Sequence, residues 1–373
     1  MKIALVHDYL AQDGGAERVL KAFHEIWPEA PIFVLFHDTK KIKYLPKENI
    51  RQSFISRLPL GKKCFQWYLP LMPLATEQHN LGDFDVVISS TSSFAKGVIT
   101  HPNTLHISYC HTPPRYLWAD ANEYVSNLKR SRTVKFFIPR FLHKLRMWDR
   151  MSVDRVDHFI ANSKTVRLRI QKYYRRDSDV VYPPVEMEKT GIAEKIENYF
   201  SAGGRLVPYK RFDLIVKAFN RLGLKLKIFG TGPERDNLKK IAKPNIEFLG
   251  YVDEKEKKEI LGKSSAFIHP QLEDAGITAL EAMACGRPVI AYGAGGAAET
   301  VLPGETGVLF PLQTWESLFD TVLNFNPENW DGTKIREHAA QFGIDNFKQT
   351  IKKIVEDRYE EFNKGLIQES LLR

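Results

Sequence analysis

The chain has 373 residues, 43% hydrophobic and 27% charged, which is too long for one ordinary core and too apolar for a disordered or fibrous protein. Its three cysteines, Cys64, Cys110 and Cys285, lie far apart without CxxC or His-rich spacing, which speaks against a zinc site or disulfide framework and suits a reducing cytoplasm. The net charge of +9 is uneven: residues 1–185 hold 28 Lys and Arg against 17 Asp and Glu, a net +11, whereas 186–373 hold 26 against 28, a net −2.

The opening "MKIALVHDYL" is read as a first strand, because His7 and Asp8 end the apolar run before a secretory or membrane segment would be complete. In "HDYLAQDGGAERVLKAF" the strand ends, Gly14-Gly15 turns the chain, and a helix begins. Two glycines at a helix start let backbone N–H groups approach a phosphate, although a tight turn alone also requires them. The spacing is not GxGxxG, which argues against a dinucleotide-binding first domain.

Short apolar runs recur between helix-like segments: "IFVLFH", "DVVISS", "LHISYC", "HFIANS" and "DVVYPPV", then "LKLKIFG", "IEFLGYV", "AFIHP" and "PVIAY". This alternation predicts parallel sheets with helices on both faces. The polar stretch after Pro183-Pro184 marks a boundary, giving domains at 1–185 and 195–354, with a terminal helix at about 355–373 crossing back to the first. Two doubly wound domains facing each other would line a cleft with their strand-to-helix loops.

Segments 51–73 and 129–150 mix basic with large apolar residues, a composition suited to an anionic membrane surface or to helix faces partly buried in the core. No RRM, KH, helix-turn-helix or zinc pattern supports nucleic acid. "DFD" at Asp83–Asp85 has the DxD form of a divalent-metal site, but it precedes a strand and reads as a turn. In "SYCHTPPRYLW", Pro113 and Pro114 stiffen the loop that holds His111 at a strand's carboxyl end, where it is either a satisfied structural histidine or a site residue.

In "GGRLVPYKRFDLIVKAF", Arg205 and Lys210 flank Pro208 in a turn, a fork and a point charge suited to a diphosphate, with surface solvation as the plain alternative. In "QLEDAGITALEAMACGRPVI", Glu273 precedes a helix and Glu281 lies within it, with the unpaired N–H groups of the first turn between them. Carboxylates beside a phosphate would repel it, so they should instead grip neutral hydroxyls at the two ends of the ligand. A sugar nucleotide, with hexose, diphosphate and ribose in that order, fits.

Six fragments, "GGAERVL", "YCHTPPRYLW", "RLVPYKR", "GTGPE", "FLGYV" and "EDAGITALEAMACGRPVIAYGAGGAAETV", together resemble the retaining glycosyltransferases of family 4, whose mark is E-x7-E. The likeness runs through nearly the whole chain and implies the α/β GT-B fold, two Rossmann-like domains facing across a cleft. Within the family the chain looks like mannosyltransferases of O-antigen and related surface polysaccharides, which use GDP-mannose. The resemblance implies that Arg205 and Lys210 neutralise the donor diphosphate, Glu281 binds the ribose, Glu273 binds the hexose hydroxyls, and His111 contacts the donor sugar. Backbone groups of Gly276, Ile277 and Thr278 would meet the phosphates, with Gly15 closing from the other domain and Tyr251 and Val252 framing the base. Gly14, Gly230, Asp274 and Ala275 complete the donor-binding set.

Many relatives have an aromatic residue where this chain has Ala275, which leaves the donor sugar open. The Gly295-Gly296 and Glu299 pattern is read as support for the loop. The expected mechanism is same-face retention, with the leaving phosphate oxygen accepting the acceptor's proton and no metal or other cofactor. Expected partners are the nucleotide-sugar donor, a saccharide or lipid-linked saccharide acceptor and an anionic membrane, with the protein peripheral at its cytoplasmic face. Alternatives are a UDP- or ADP-sugar donor, an epimerase of the same fold, and a non-enzymatic basic membrane-binding protein.

Overall fold

A computed structural model describes residues 1–59, 65–121, 132–187, 191–193 and 195–371. The chain divides into two compact units, Met1–Tyr182 with Lys348–Arg373, and Pro183–Phe347.

The first unit holds a seven-stranded parallel sheet: β1 (Ile3–His7), β2 (Ile32–Val34), β3 (Ile50–Gln52), β4 (Val86–Thr91), β5 (Leu105–Cys110), β6 (His158–Ala161) and β7 (Asp179–Val180). The order is β3-β2-β1-β4-β5-β6-β7. Its central strands β1, β4 and β5 are buried along their whole length, and their apolar residues are interrupted by buried polar ones such as Ser89, Ser90, His106 and Ser108. The order reverses between β1 and β4, which makes the loops after these strands the natural ligand crevice of the sheet.

The second unit holds β8 (Phe200–Gly203), β9 (Leu226–Phe229), β10 (Ile246–Gly250), β11 (Phe267–His269), β12 (Val289–Tyr292) and β13 (Gly307–Phe310) in the order β10-β9-β8-β11-β12-β13, all parallel. Alternate residues serve opposite faces. Phe267, Val289 and Ala291 pack with Leu280 and Met283 of the helix Ile277–Ala284. Ile268 and Ile290 pack with Ile215 and Phe219 of the helix Phe212–Leu222. Both faces are therefore covered, the doubly wound arrangement expected for each domain, and the order reverses between β8 and β11.

Three strands escaped the apolar pattern: β3, β8 and β13. The central strand β8, "FSAG", has one large apolar residue, and its fully buried Ser201 is satisfied by donating to Ser264 Oγ at 2.9 Å. The terminal helix Ile344–Leu371 is continuous, and from Lys348 it belongs to the first unit. There Lys348 pairs with Glu25 at 2.6 Å and Arg358 with Asp179 at 3.5 Å.

The two basic, apolar segments divide their side chains. Ile55, Met72, Leu142 and Leu145 enter one buried cluster, while Trp67 and Met147 are 64% and 54% exposed. Residues 60–64 and 129–131 of those segments lie outside the described residues, as does part of the boundary stretch. The "DFD" sequence sits at the amino end of the sheet, where the Asp85 carboxylate accepts the Lys2 N–H at 2.6 Å, away from the carboxyl ends where ligands bind.

Candidate active site

After β8 the chain runs through Arg205–Val207 into a one-turn helix at Pro208–Lys210. The two cations predicted here are not equivalent. Lys210 is buried and its Nζ lies 2.6 Å from Glu273 Oε1, whereas Arg205 is exposed and donates from Nη2 to the Tyr209 hydroxyl at 3.1 Å. Lys210 and Glu273 thus come from the two loops at the switch point, β8 and β11, and meet in one ion pair.

The turn after β9 braces the Lys210 loop. Gly230 has a φ of +111°, and a Cβ there would lie 1.9 Å from the Gly204 carbonyl oxygen, so only glycine lets the two strand ends approach. Leu206 donates its N–H to Thr231 O at 2.9 Å and accepts the Glu234 N–H at 3.1 Å. Gly230 and the rest of "GTGPE" therefore position the loop that carries Lys210.

The segment between β11 and the helix Ile277–Ala284 is held by its backbone. Gly296 donates its N–H to Glu273 O at 2.8 Å, so the Gly295-Gly296 turn supports the loop. Gly276 caps the helix in the left-handed region, with a φ of +68° and no side-chain cap. Ala275 is buried, Ile277 and Thr278 are half-buried, and Asp274 lies in the loop between the two glutamates.

Glu281, one turn into that helix, pairs with Lys257 at 2.8 Å, and Lys257 also meets Glu254 at 3.0 Å. Lys257 is presented by the helix Glu254–Lys263, whose start is fixed by a capping box in which the Asp253 carboxylate accepts the Glu256 N–H at 2.8 Å and Glu256 reaches back. Sequence reasoning did not single out Lys257. One lysine among the four in "DEKEKKEILGK" carries no local mark, and only the packing of the two helices selects it.

Tyr251 and Val252, after β10, stand apart from these pairs. Tyr251 is 80% exposed, and both line an open groove of about 320 Å³ with Tyr199, Lys227 and Ile260.

Two further polar residues were missed. His269 ends β11, fully buried, with Gln271 just beyond it, and the Gln271 Nε2 lies 3.1 Å from His269 Nδ1. Burial holds the His269 imidazole down at about 4, so it is neutral near pH 7. A histidine closing an apolar strand beside the glutamate loop was the available signal.

The first unit carries Gly14, Gly15 and His111 on its own loops. Gly14 precedes the helix Gly15–Ile26, and the third residue of that helix, Glu17, is 2% exposed. Burial pushes the Glu17 carboxyl up to about 7, against the pull of hydrogen bonds from the Glu17 and Gly14 backbone. The Glu17 carboxyl lies against Gly14 at this helix start, where its Oε2 would come within 2.9 Å of a Cβ on residue 14. His111 donates its backbone N–H to Thr91 O at 2.8 Å, and its Nε2 lies 2.8 Å from Ser90 Oγ, which is 3.1 Å from His7 Nδ1. Burial, with His7 adding to it, holds the His111 imidazole down at about 3, so it acts as a neutral hydrogen-bonding group.

Two family models match this chain in succession: one described as Glycosyltransferase Family 4 over residues 13–189, and one described as Glycosyl transferases group 1 over residues 184–342. The chain belongs to the family 4 glycosyltransferases. Among curated family members, an uncharacterized glycosyltransferase of Methanocaldococcus jannaschii is 29% identical over 53% of this chain and 57% of its own. The O-antigen chain mannosyltransferase RfbU of Salmonella typhimurium is 26% identical over 58% of this chain and 65% of its own. A GDP-mannose-dependent phosphatidylinositol monomannoside mannosyltransferase of Corynebacterium glutamicum is 34% identical over 29% of this chain and 32% of its own. Each match spans less than two-thirds of the relative's length.

The glycosyltransferase fold extends further than the sequence likeness. The Anabaena protein HepE, solved with UDP, superposes with a TM-score of 0.69 at 17% identity, covering 96% of this chain and all of that one. Sucrose-phosphate synthase of Thermosynechococcus elongatus gives 0.71 at 14% identity, covering 97% and 100%. These are GT-B glycosyltransferase architectures, and this chain shares their two Rossmann-like domains.

Proposed function

We propose that the protein is a retaining hexosyltransferase that moves mannose from GDP-mannose to a lipid-linked saccharide in surface polysaccharide assembly. The observation that carries the reading is the pair of ion pairs, Lys210 with Glu273 and Lys257 with Glu281, set around the start of the helix Ile277–Ala284 at the switch point of the second sheet. A diphosphate drawn to Lys210 and to the N–H groups of that helix start leaves the Glu273 carboxylate to accept from hexose hydroxyls, while Glu281 accepts from the ribose. Arg205, on the exposed side of the same turn, adds charge to the leaving group. As the glycosidic bond to phosphate breaks, the departing oxygen takes the acceptor's proton on the same face, and fixed cations stabilise the charge that develops.

Two relatives named for mannose transfer support that sugar. The structural neighbour solved with UDP supports the fold alone, so a UDP-sugar is the outcome that competes in the assay. Ala275 is the place to read sugar choice, because an aromatic residue there in other family members would narrow the pocket.

The first unit supplies the proposed membrane contact. The helix Arg132–Met151 exposes Met147 and Met151 beside His143, Arg146 and Arg150 around a groove of about 360 Å³. Cations flanking exposed apolar side chains suit peripheral binding to anionic lipid at the cytoplasmic face. Among the described residues no helix is long and apolar enough to cross a membrane. The test is transfer of labelled mannose from GDP-mannose to polyprenyl-diphosphate saccharides in anionic liposomes. Label in the lipid, lost about a hundredfold in Lys210→Ala, is the expected result; a preference for UDP-glucose overturns the mannose assignment.

A further inference from the structure

At the carboxyl ends of the central strands of the first sheet, three buried polar side chains form one hydrogen-bonded chain. His7 and Ser90 are register partners on β1 and β4, and His111 follows β5 with its backbone N–H on Thr91 O at 2.8 Å. His7 is 4% exposed, Ser90 0% and His111 9%. Burial keeps both imidazoles neutral near pH 7.

The proton positions follow from one contact. His7 Nδ1 lies 3.1 Å from the Ser90 carbonyl oxygen, which can only accept, so Nδ1 carries the proton of that ring. The same N–H also faces Ser90 Oγ at 3.1 Å, so the hydroxyl cannot donate back to it. Among the described residues the hydroxyl has one other hydrogen-bonding neighbour, His111 Nε2 at 2.8 Å. Its O–H therefore goes to that nitrogen, because a hydroxyl hydrogen left unpaired at a fully buried site is costly. With Nε2 accepting, the neutral His111 ring holds its proton on Nδ1. Nδ1 has no partner among the described residues and is not sealed from solvent. The ring itself is braced by Tyr109, which meets it in a T-shaped contact with centroids 5.2 Å apart.

We propose that His7 and Ser90 are positioning residues that lock His111 as an N–H donor at Nδ1, offered to an oxygen of a sugar in the crevice beyond β1, β4 and β5. The order of that sheet reverses between β1 and β4, which places the three side chains at its ligand-binding end. A donor locked in this way meets a hydroxyl lone pair and does not serve as a base, because its basic nitrogen already accepts from Ser90. The inference rests on the sugar-transfer reading above and adds to it two residues, His7 and Ser90, and a fixed direction for the His111 hydrogen bond.

The test is nitrogen-15 NMR of the full chain with labelled histidines at pH 7, the two rings being assigned through the signals lost in His7→Asn and His111→Asn. The expected spectrum shows both rings neutral with the proton on Nδ1. In Ser90→Ala the His111 signals should move toward the other tautomer. Steady-state transfer by the same variant should show the KM of the donor or of the saccharide acceptor raised about tenfold, with kcat changed less than about threefold. Which KM rises tells whether the sugar met by His111 is the one transferred or the one receiving. His7→Leu should raise the same KM, by less than about twofold when added to Ser90→Ala, and His7→Asn, whose amide keeps an N–H toward Ser90, should restore most of the loss. A parent His111 protonated on Nε2, or Ser90→Ala folded with both KM values unchanged, overturns the positioning role and leaves the transferase standing. If Ser90→Ala does not fold, the parent spectrum and the two His7 variants decide. If the parent transfers no sugar, the transfer reading falls, and the role given to His111 falls with it.

Discussion

The two switch-point regions are built from the same topology and bury different chemistry. In the second unit, charged side chains from separate loops meet as opposite pairs, Lys210 with Glu273 and Lys257 with Glu281. In the first, the strand ends and the residue after β5 bury His7, Ser90 and His111 as a hydrogen-bonded chain, with both imidazoles pushed toward neutrality, and the helix Gly15–Ile26 buries Glu17 with its carboxyl raised to about 7. A region that stores its charges in pairs holds a cation in place for an anionic ligand. One that buries neutral groups offers hydrogen bonds to hydroxyls and repels little. On this contrast the second unit suits a nucleoside diphosphate sugar, and the first suits an uncharged acceptor.

The sharpest way to break the contrast is to remove one member of the Lys210 pair. Lys210→Ala should lower kcat about a hundredfold, because the departing diphosphate loses its buried cation; steady-state turnover of the donor checks this, and a loss within twofold contradicts it. The second pair should act on binding more than on chemistry. Lys257→Ala removes one partner of Glu281, the proposed ribose ligand, and donor dissociation constants from calorimetry should rise about tenfold with kcat changed less.

The first unit should answer to pH instead. Glu17 has a folded value above its ordinary one near 4.5, so the stability it contributes is complete below about 4.5 and drains as pH rises through about 7. Glu17→Gln has no such slope. Chemical denaturation from pH 4 to 8.5 should show the variant gaining on the parent by at most about 1.4 kcal/mol per pH unit in that window, and a constant difference would contradict the buried carboxyl. The smallest effect on chemistry belongs to the helix Arg132–Met151, proposed above to contact lipid. Met151→Asp should leave turnover of a soluble acceptor within twofold and weaken co-sedimentation with anionic vesicles at low salt.

The proposed donor loop stands out in the sequence because its information is contiguous. Glu273, Gly276 and Glu281 lie in one strand–loop–helix unit, and E-x7-E fixes their spacing on a helix start. The partners were not legible. Lys257 is 24 residues from Glu281, and Glu273 meets Lys210 from 63 residues away, so their pairing is set by strand order rather than by any local pattern. Gly230 illustrates a similar limit: it lies in a family motif, yet its packing against the Gly204 carbonyl is visible only once β8 and β9 are adjacent. β8 itself, at the centre of the sheet, was hidden by small residues whose burial comes from neighbours on both sides. In the first unit "GGAERVL" marked the helix start correctly, but the inward turn of Glu17 follows from burial of that face, which periodicity alone did not reveal.

The most direct measurement is a thermal-shift panel of GDP-mannose, UDP-glucose and ADP-glucose on the parent protein and on Lys210→Ala. With GDP-mannose at 100 times its dissociation constant, the parent should gain about 2.7 kcal/mol of stability, and the variant should lose most of that gain at the same concentration. Stabilisation by no sugar nucleotide, or stabilisation that survives intact in Lys210→Ala, would contradict a donor site built on the Lys210–Glu273 pair.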